Sequence, residues 1–215
     1  MDVALDGTSD AAARAALIRR GLRLNYLTIG YNAVEAAAAL IAGFLASSAA
    51  LIGFGFDSVI EVSASLAAQW RLRVDGDALH RERVEVVARR IVGACFLALA
   101  AYVAYDSLTS LLLREAPERS LPGTIVLALS VVVMPLLARA KRRVARSLNS
   151  RALESEAAQT SLCAYLSVIA LAGVALNAGA GWWWADPVAA LAMIPIIAME
   201  GLEGLRGEAC DDACR

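Results

Sequence analysis

The chain has 215 residues, of which 59% are hydrophobic and 19% are charged, and its formal net charge is −1. A soluble domain is about 45–50% apolar, whereas here the charged residues are clustered and leave long stretches nearly free of charge. These features exclude an ordinary soluble domain and give no support to nucleic-acid binding. Alanine and leucine dominate the uncharged stretches without two-residue alternation, which indicates membrane-spanning helices rather than barrel strands.

A basic amphipathic stretch, residues 11–23, leads into the first predicted span. No signal peptide is expected, because the first 20 residues lack an apolar core. Six apolar stretches follow, comparable to the roughly 20 residues that a helix needs to cross a bilayer. They cover residues 24–46, 48–70, 91–113, 123–138, 157–180 and 187–205.

The basic residues predict the orientation of these spans. With six spans, 18 of the 20 Lys and Arg residues fall on one side, including Lys141 in the loop after span four, and only Arg114 and Arg119 fall on the other. The positive-inside rule then places both termini in the cytoplasm. We expect an all-α membrane protein with a cytoplasmic segment (1–23), a six-helix transmembrane domain (24–205) and a short cytoplasmic tail (206–215). In the absence of a targeting signal, we expect a multi-pass protein of the inner (plasma) membrane.

Two acidic residues in span two are the main functional signal. An ionisable side chain at the bilayer centre costs about 2.5–3.5 kcal/mol, so it is a functional hypothesis by default. Asp57 and Glu61 are four residues apart, which places both carboxylates on one face of a helix. Without a Lys or Arg in the same span to neutralise them, both can ionise only with a cation or water between them. A packing role without transport is the alternative.

Span five repeats the four-residue spacing with Gln159 and Cys163. Two such pairs on facing helices would give four ligands, the number that tetrahedral zinc requires. A thiolate among them favours zinc or cadmium over magnesium and calcium, which prefer oxygen cages. The alternatives are an interhelical hydrogen bond for Gln159 and simple apolar packing for Cys163.

Other polar residues leave more than one interpretation open. Glu35, with Asn32, fits either a clamp between helices or a proton site, and Asp106 fits a water-facing position near the outer end of span three. We expect Glu200 and Glu203 to lie at the cytoplasmic interface. The tail offers a second metal site or a merely solvated segment; its candidate ligands are Cys210, Asp211, Asp212 and Cys214.

The segment Phe56-Asp57-Ser58-Val59-Ile60-Glu61 resembles span two of the cation diffusion facilitator family of divalent-metal carriers. Arg83-Val84-Glu85 and Ala185-Asp186-Pro187 also fit, and the resemblance covers residues 14–206. It implies six spans, cytoplasmic termini, a homodimer, and metal ligation by Asp57 and Glu61. Gln159 and Cys163 occupy the span-five ligand positions, where the family usually has His or Asp followed by Asp. The family's cytoplasmic carboxy-terminal domain has no counterpart here, so the chain resembles a short member.

The function that these observations predict is secondary transport: export of zinc-like divalent cations, zinc or cadmium, from the cytoplasm in exchange for protons. A passive cation channel and a non-transporting structural subunit are the alternatives. An embedded metal hydrolase is disfavoured, because the sequence has neither HExxH nor a histidine within a span. We therefore expect a transporter rather than an enzyme.

Overall fold

The computed structural model describes residues 3–73, 78–115, 117–148 and 151–206. Within these ranges the side chains of 3–13, 64, 67–73, 78–86, 88–89, 151–152 and 155 are not described. The tail residues Cys210, Asp211, Asp212 and Cys214 lie outside the described residues. The helices are α1 (Val3–Ala46), α2 (Ala49–Arg73), α3 (Ala78–Leu113), α4 (Leu121–Leu148), α5 (Arg151–Ala180) and α6 (Ala185–Arg206).

Each helix contains one predicted apolar stretch, and the described residues hold no strand. Five helices are long and apolar enough to cross a membrane: all except α2, for which the described side chains are incomplete. The all-helical membrane architecture is therefore confirmed, whereas the sixth span and the side on which the termini lie stay predictions. α4 departs from its predicted bounds, because it continues past residue 138 to Leu148. The predicted basic loop is thus largely helix, and Lys141 lies on it.

The helices form a closed ring in which α2 is the most connected member. Neighbours around the ring are α1, α2, α3, α6, α5 and α4, and α2 also contacts α5 and α6. Glycine allows α3 and α6 to touch at their backbones: a Cβ on Gly93 would lie 2.7 Å from both the Gly201 carbonyl oxygen and the Leu205 amide nitrogen. Such close approach through small residues is typical of helix pairs in membranes.

The start of α2 is fixed by α6. Ser47 has a φ of 50° and turns the chain, and the Ser48 hydroxyl then accepts a hydrogen bond from the Leu51 amide at 3.2 Å. The Ser48 hydroxyl donates to Asp186 of α6 at 2.5 Å, and the Ala50 amide donates to the same carboxylate at 3.4 Å. A carboxylate at a helix N-terminus satisfies free amides and complements the helix dipole. The depth of α2 relative to α6 is set by this contact.

The exterior is apolar, unlike that of a soluble protein, while the interior combines an apolar core with buried polar groups. Large apolar side chains such as Val34, Leu45 and Leu112 are more than 70% exposed. Polar and charged side chains, by contrast, are buried between the helices. Because hydrocarbon accepts apolar surface and offers no hydrogen bonds, this distribution is what a bilayer selects.

Candidate metal site

α2, α3, α5 and α6 line a small, partly open cavity of about 20 Å³. That volume accommodates about one water-sized occupant. Its polar lining consists of five side chains: Asp57, Glu61, Gln159, Cys163 and Glu200. Its apolar walls are formed by Phe96, Leu162, Leu166, Ile196 and Ile197.

The two i,i+4 pairs of the sequence analysis meet at this cavity. Asp57 and Glu61 are 7% and 8% exposed, and Cys163 is fully buried on the facing helix. Cys163 lines the same cavity as both carboxylates. The facing arrangement needed for a shared ligand is therefore present, with Gln159 lining the same space.

One carboxylate oxygen at the cavity is without a partner. Glu61 Oε2 is buried and has no hydrogen-bond donor among the described residues. The Asn32 side chain of α1 interacts with Glu61, and Asn32 Oδ1 is likewise unpartnered within the described ranges. A buried, unsatisfied carboxylate oxygen is costly in isolation, and it is the kind of group that a bound cation satisfies.

The sequence shows no Lys or Arg in the same span as Asp57 and Glu61, but the structure brings Lys141 close to Glu61. Lys141 was assigned to the loop after span four, but it lies on α4 with 1% exposure and acts electrostatically on Glu61. Its ammonium group is already engaged on α5: Nζ lies 3.5 Å from Glu156 Oε2 and donates to Thr160 Oγ1 at 3.3 Å. Lys141 is therefore paired with Glu156 and also acts on Glu61, but it does not itself line the cavity.

Glu35 lies in a neighbouring polar cluster, close enough to interact electrostatically with Asp57 and Glu61. It is 3% exposed and accepts a hydrogen bond from the Ser58 hydroxyl at 3.1 Å, with Tyr31 and Ser130 also nearby. Its Oε1 has no donor in the part of the chain that the structure describes. The two α1 candidates thus have different partners: Asn32 interacts with Glu61, whereas Glu35 is hydrogen-bonded to Ser58.

The remaining acidic candidates occupy three different environments. Asp106 lines a cavity of about 210 Å³ near the α1–α2 turn, together with Ser47 and Glu115. Glu203 is exposed. Glu200 is half-buried and lines the central cavity; its predicted place at the cytoplasmic interface stays a prediction. No spacing signal marks Glu200 in the sequence, because the residues four positions away on its helix are Ile196 and Gly204.

Potential metal ligands line the cavity, but they are not arranged as a complete coordination shell. Across the described ranges, no three His, Cys, Asp or Glu side chains converge closely enough to hold a metal ion. The donor set itself combines carboxylate, thiol and amide groups, which suits a borderline divalent ion. Ligation would require these side chains to close around the ion.

Comparison with known proteins links the chain to a family and to a curated relative. The sequence model of the cation efflux transmembrane domain matches residues 26–207. The chain is also similar to Transmembrane protein 163 of Xenopus laevis, with 30% identity over 135 residues. That alignment covers 63% of this chain and 48% of the relative, so the chain aligns with about half the length of the curated relative.

Proposed function

Because the chain belongs to the cation efflux family, a family of metal-cation transporters, we propose that it exports zinc-like divalent cations from the cytoplasm in exchange for protons. The proposal includes six spans, cytoplasmic termini and an inner (plasma) membrane location. One observation supports it above the others: the Asp57, Glu61, Gln159 and Cys163 side chains line one cavity, where Glu61 Oε2 is unpartnered. These four side chains are the proposed ligands of the transported ion.

The chemistry of the lining favours zinc, with cadmium as a second substrate. The Cys163 thiol supplies a soft donor to the cavity that the two carboxylates of α2 also line. Magnesium and calcium prefer six or more oxygen ligands, which this set does not offer. Sulfur ligation favours zinc and cadmium instead.

Proton exchange follows from the same ligands. A thiol and carboxylates must lose their protons to bind metal, so binding releases protons and protonation releases metal. Metal affinity therefore rises with pH, and an acidic outer compartment unloads the ion. Each elementary charge moved inward down 100 mV supplies about 2.3 kcal/mol to this exchange.

Two further elements of the proposal rest on the family resemblance and on the sequence. A homodimer is what the resemblance implies. The tail residues Cys210, Asp211, Asp212 and Cys214 would collect metal at the cytoplasmic face, where reduced thiols persist.

Flux in proteoliposomes tests the function directly. Vesicles that are acidic inside should accumulate zinc and cadmium, because outward proton movement drives the metal inward. Asp57→Asn should abolish this flux, while Glu203→Gln, which removes an exposed acid, should not alter it. Flux that is indifferent to the pH gradient would favour a channel. No flux from well-reconstituted protein would favour a structural subunit.

A further inference from the structure

We infer that Glu200 of α6 is a further metal ligand of the central cavity, so that three helices hold the transported ion rather than two. This inference rests on the proposed function, since it requires the ion to occupy that cavity. With Glu200 as a ligand, α6 would be the second helix after α2 to supply a carboxylate. The α5 side chains, Gln159 and Cys163, contribute an amide and a thiol.

The position of Glu200 follows from the packing of α6. Ile196 and Ile197 line the cavity, and Glu200 lies four and three residues beyond them, so all three share one helix face. The next residue, Gly201, packs against α3: a Cβ there would lie 2.8 Å from the Leu97 side chain and 3.1 Å from the Gly93 carbonyl oxygen. This contact fixes the rotation of α6 at the point where Glu200 meets the cavity.

The charges around the cavity are unbalanced. Three acids, Asp57, Glu61 and the half-buried Glu200, line a space of about 20 Å³. No basic side chain is among the described residues that line it. Lys141, the one buried basic side chain within the described ranges, forms its ion pair with Glu156.

The unpartnered oxygen of Glu61 indicates what the cavity takes. Glu61 is 8% exposed, lines the cavity, and leaves Oε2 without a donor. A divalent cation would satisfy that oxygen and turn the mutual repulsion of the three carboxylates into attraction. The ligand class is a borderline divalent cation with mixed oxygen and sulfur donors.

Glu200→Gln tests the inference, with Glu203→Gln as a matched control on the same helix. Zinc affinity is measured by titration calorimetry on the full chain purified in detergent. We expect Glu200→Gln to lower the zinc affinity by about 10–100-fold or more. Loss of a group that only hydrogen-bonds to a metal ligand already has an effect of that size. Glu200→Asp should recover part of the loss, and Glu203→Gln should match the unaltered chain.

A second measurement reports contact with the metal rather than stability. In a background with Cys95, Cys210 and Cys214 changed to serine, Cys163 is the remaining thiol. Glu200→Cys should then increase the thiolate-to-cadmium charge-transfer absorbance per bound ion, because a second sulfur joins the shell. Glu203→Cys should leave that absorbance at the single-thiolate value.

The outcomes separate the inference from the function on which it rests. If the unaltered chain binds neither zinc nor cadmium, the proposed function fails. If Asp57→Asn abolishes binding while Glu200→Gln keeps full affinity and Glu200→Cys adds no absorbance, the role of Glu200 alone is refuted. Weaker binding in Glu200→Gln, together with added absorbance in Glu200→Cys, supports the three-helix site.

Discussion

Gly93→Ala tests whether direct backbone contact between α3 and α6 stabilises the bundle. The new Cβ would lie 2.7 Å from Gly201 O and Leu205 N and 2.9 Å from Gly204 C, and all three are backbone atoms. Backbone atoms cannot rotate away as a side chain can, so the two helices must separate. Overpacking of this kind costs about 1–3 kcal/mol.

The matched control is Gly30→Ala, because a Cβ on Gly30 meets nothing within 4 Å. Both changes gain the same helix propensity, roughly 0.5–1 kcal/mol, so the difference between them isolates the clash. We expect the free energy of unfolding of Gly93→Ala, from SDS titration in mixed micelles, to lie about 1–3 kcal/mol below that of Gly30→Ala. Gly201→Ala should fall between them, since its nearest neighbours are atoms of the Leu97 side chain. Equal stability of the Gly93 and Gly30 variants would refute the argument.

Three further predictions concern the buried polar groups. Ser58→Ala removes the donor to Glu35 and should lower the free energy of unfolding by about 1–3 kcal/mol, as measured by the same SDS titration; no change would mean that the bond is dispensable. Lys141→Met leaves Glu156, 23% exposed, without its partner and should cost about 3 kcal/mol. The double variant with Glu156→Leu should recover most of that loss, and a failure to recover would argue against the ion pair. Zinc affinity measured by calorimetry should rise with pH, because the ligands must lose protons to bind; a flat profile would contradict proton exchange.

The sequence predicted the helices well because an apolar stretch without strand-like alternation can satisfy its backbone hydrogen bonds in lipid only as a helix. It underestimated α4, since the basic residues after 138 suggested a loop, while the helix continues to Leu148. Charge density predicts where a chain leaves the hydrocarbon, and it does not predict where a helix ends. The burial of Lys141 depends on the neighbouring Glu156 and Thr160 of α5, which no local pattern reveals.

The part of the candidate site that depends on residue spacing along one helix could be predicted from the sequence. The spacing of Asp57 and Glu61, and of Gln159 and Cys163, defines a helix face by itself, and the structure has both faces on one cavity. Glu200 was missed because its position depends on how α6 packs against α3 near Gly201. The capping of α2 was equally out of reach, because its hydrogen bonds join residues 138 and 136 positions apart.

The central claim is that the transported ion binds between α2 and α5, and the position of cadmium in crystals tests it most directly. Anomalous scattering from protein crystallised with cadmium should place the ion among Asp57, Glu61 and Cys163, and Asp57→Asn should remove that peak. A strong peak found only in the outer cavity beside Asp106 and Glu115, unaffected by Asp57→Asn, would contradict the account.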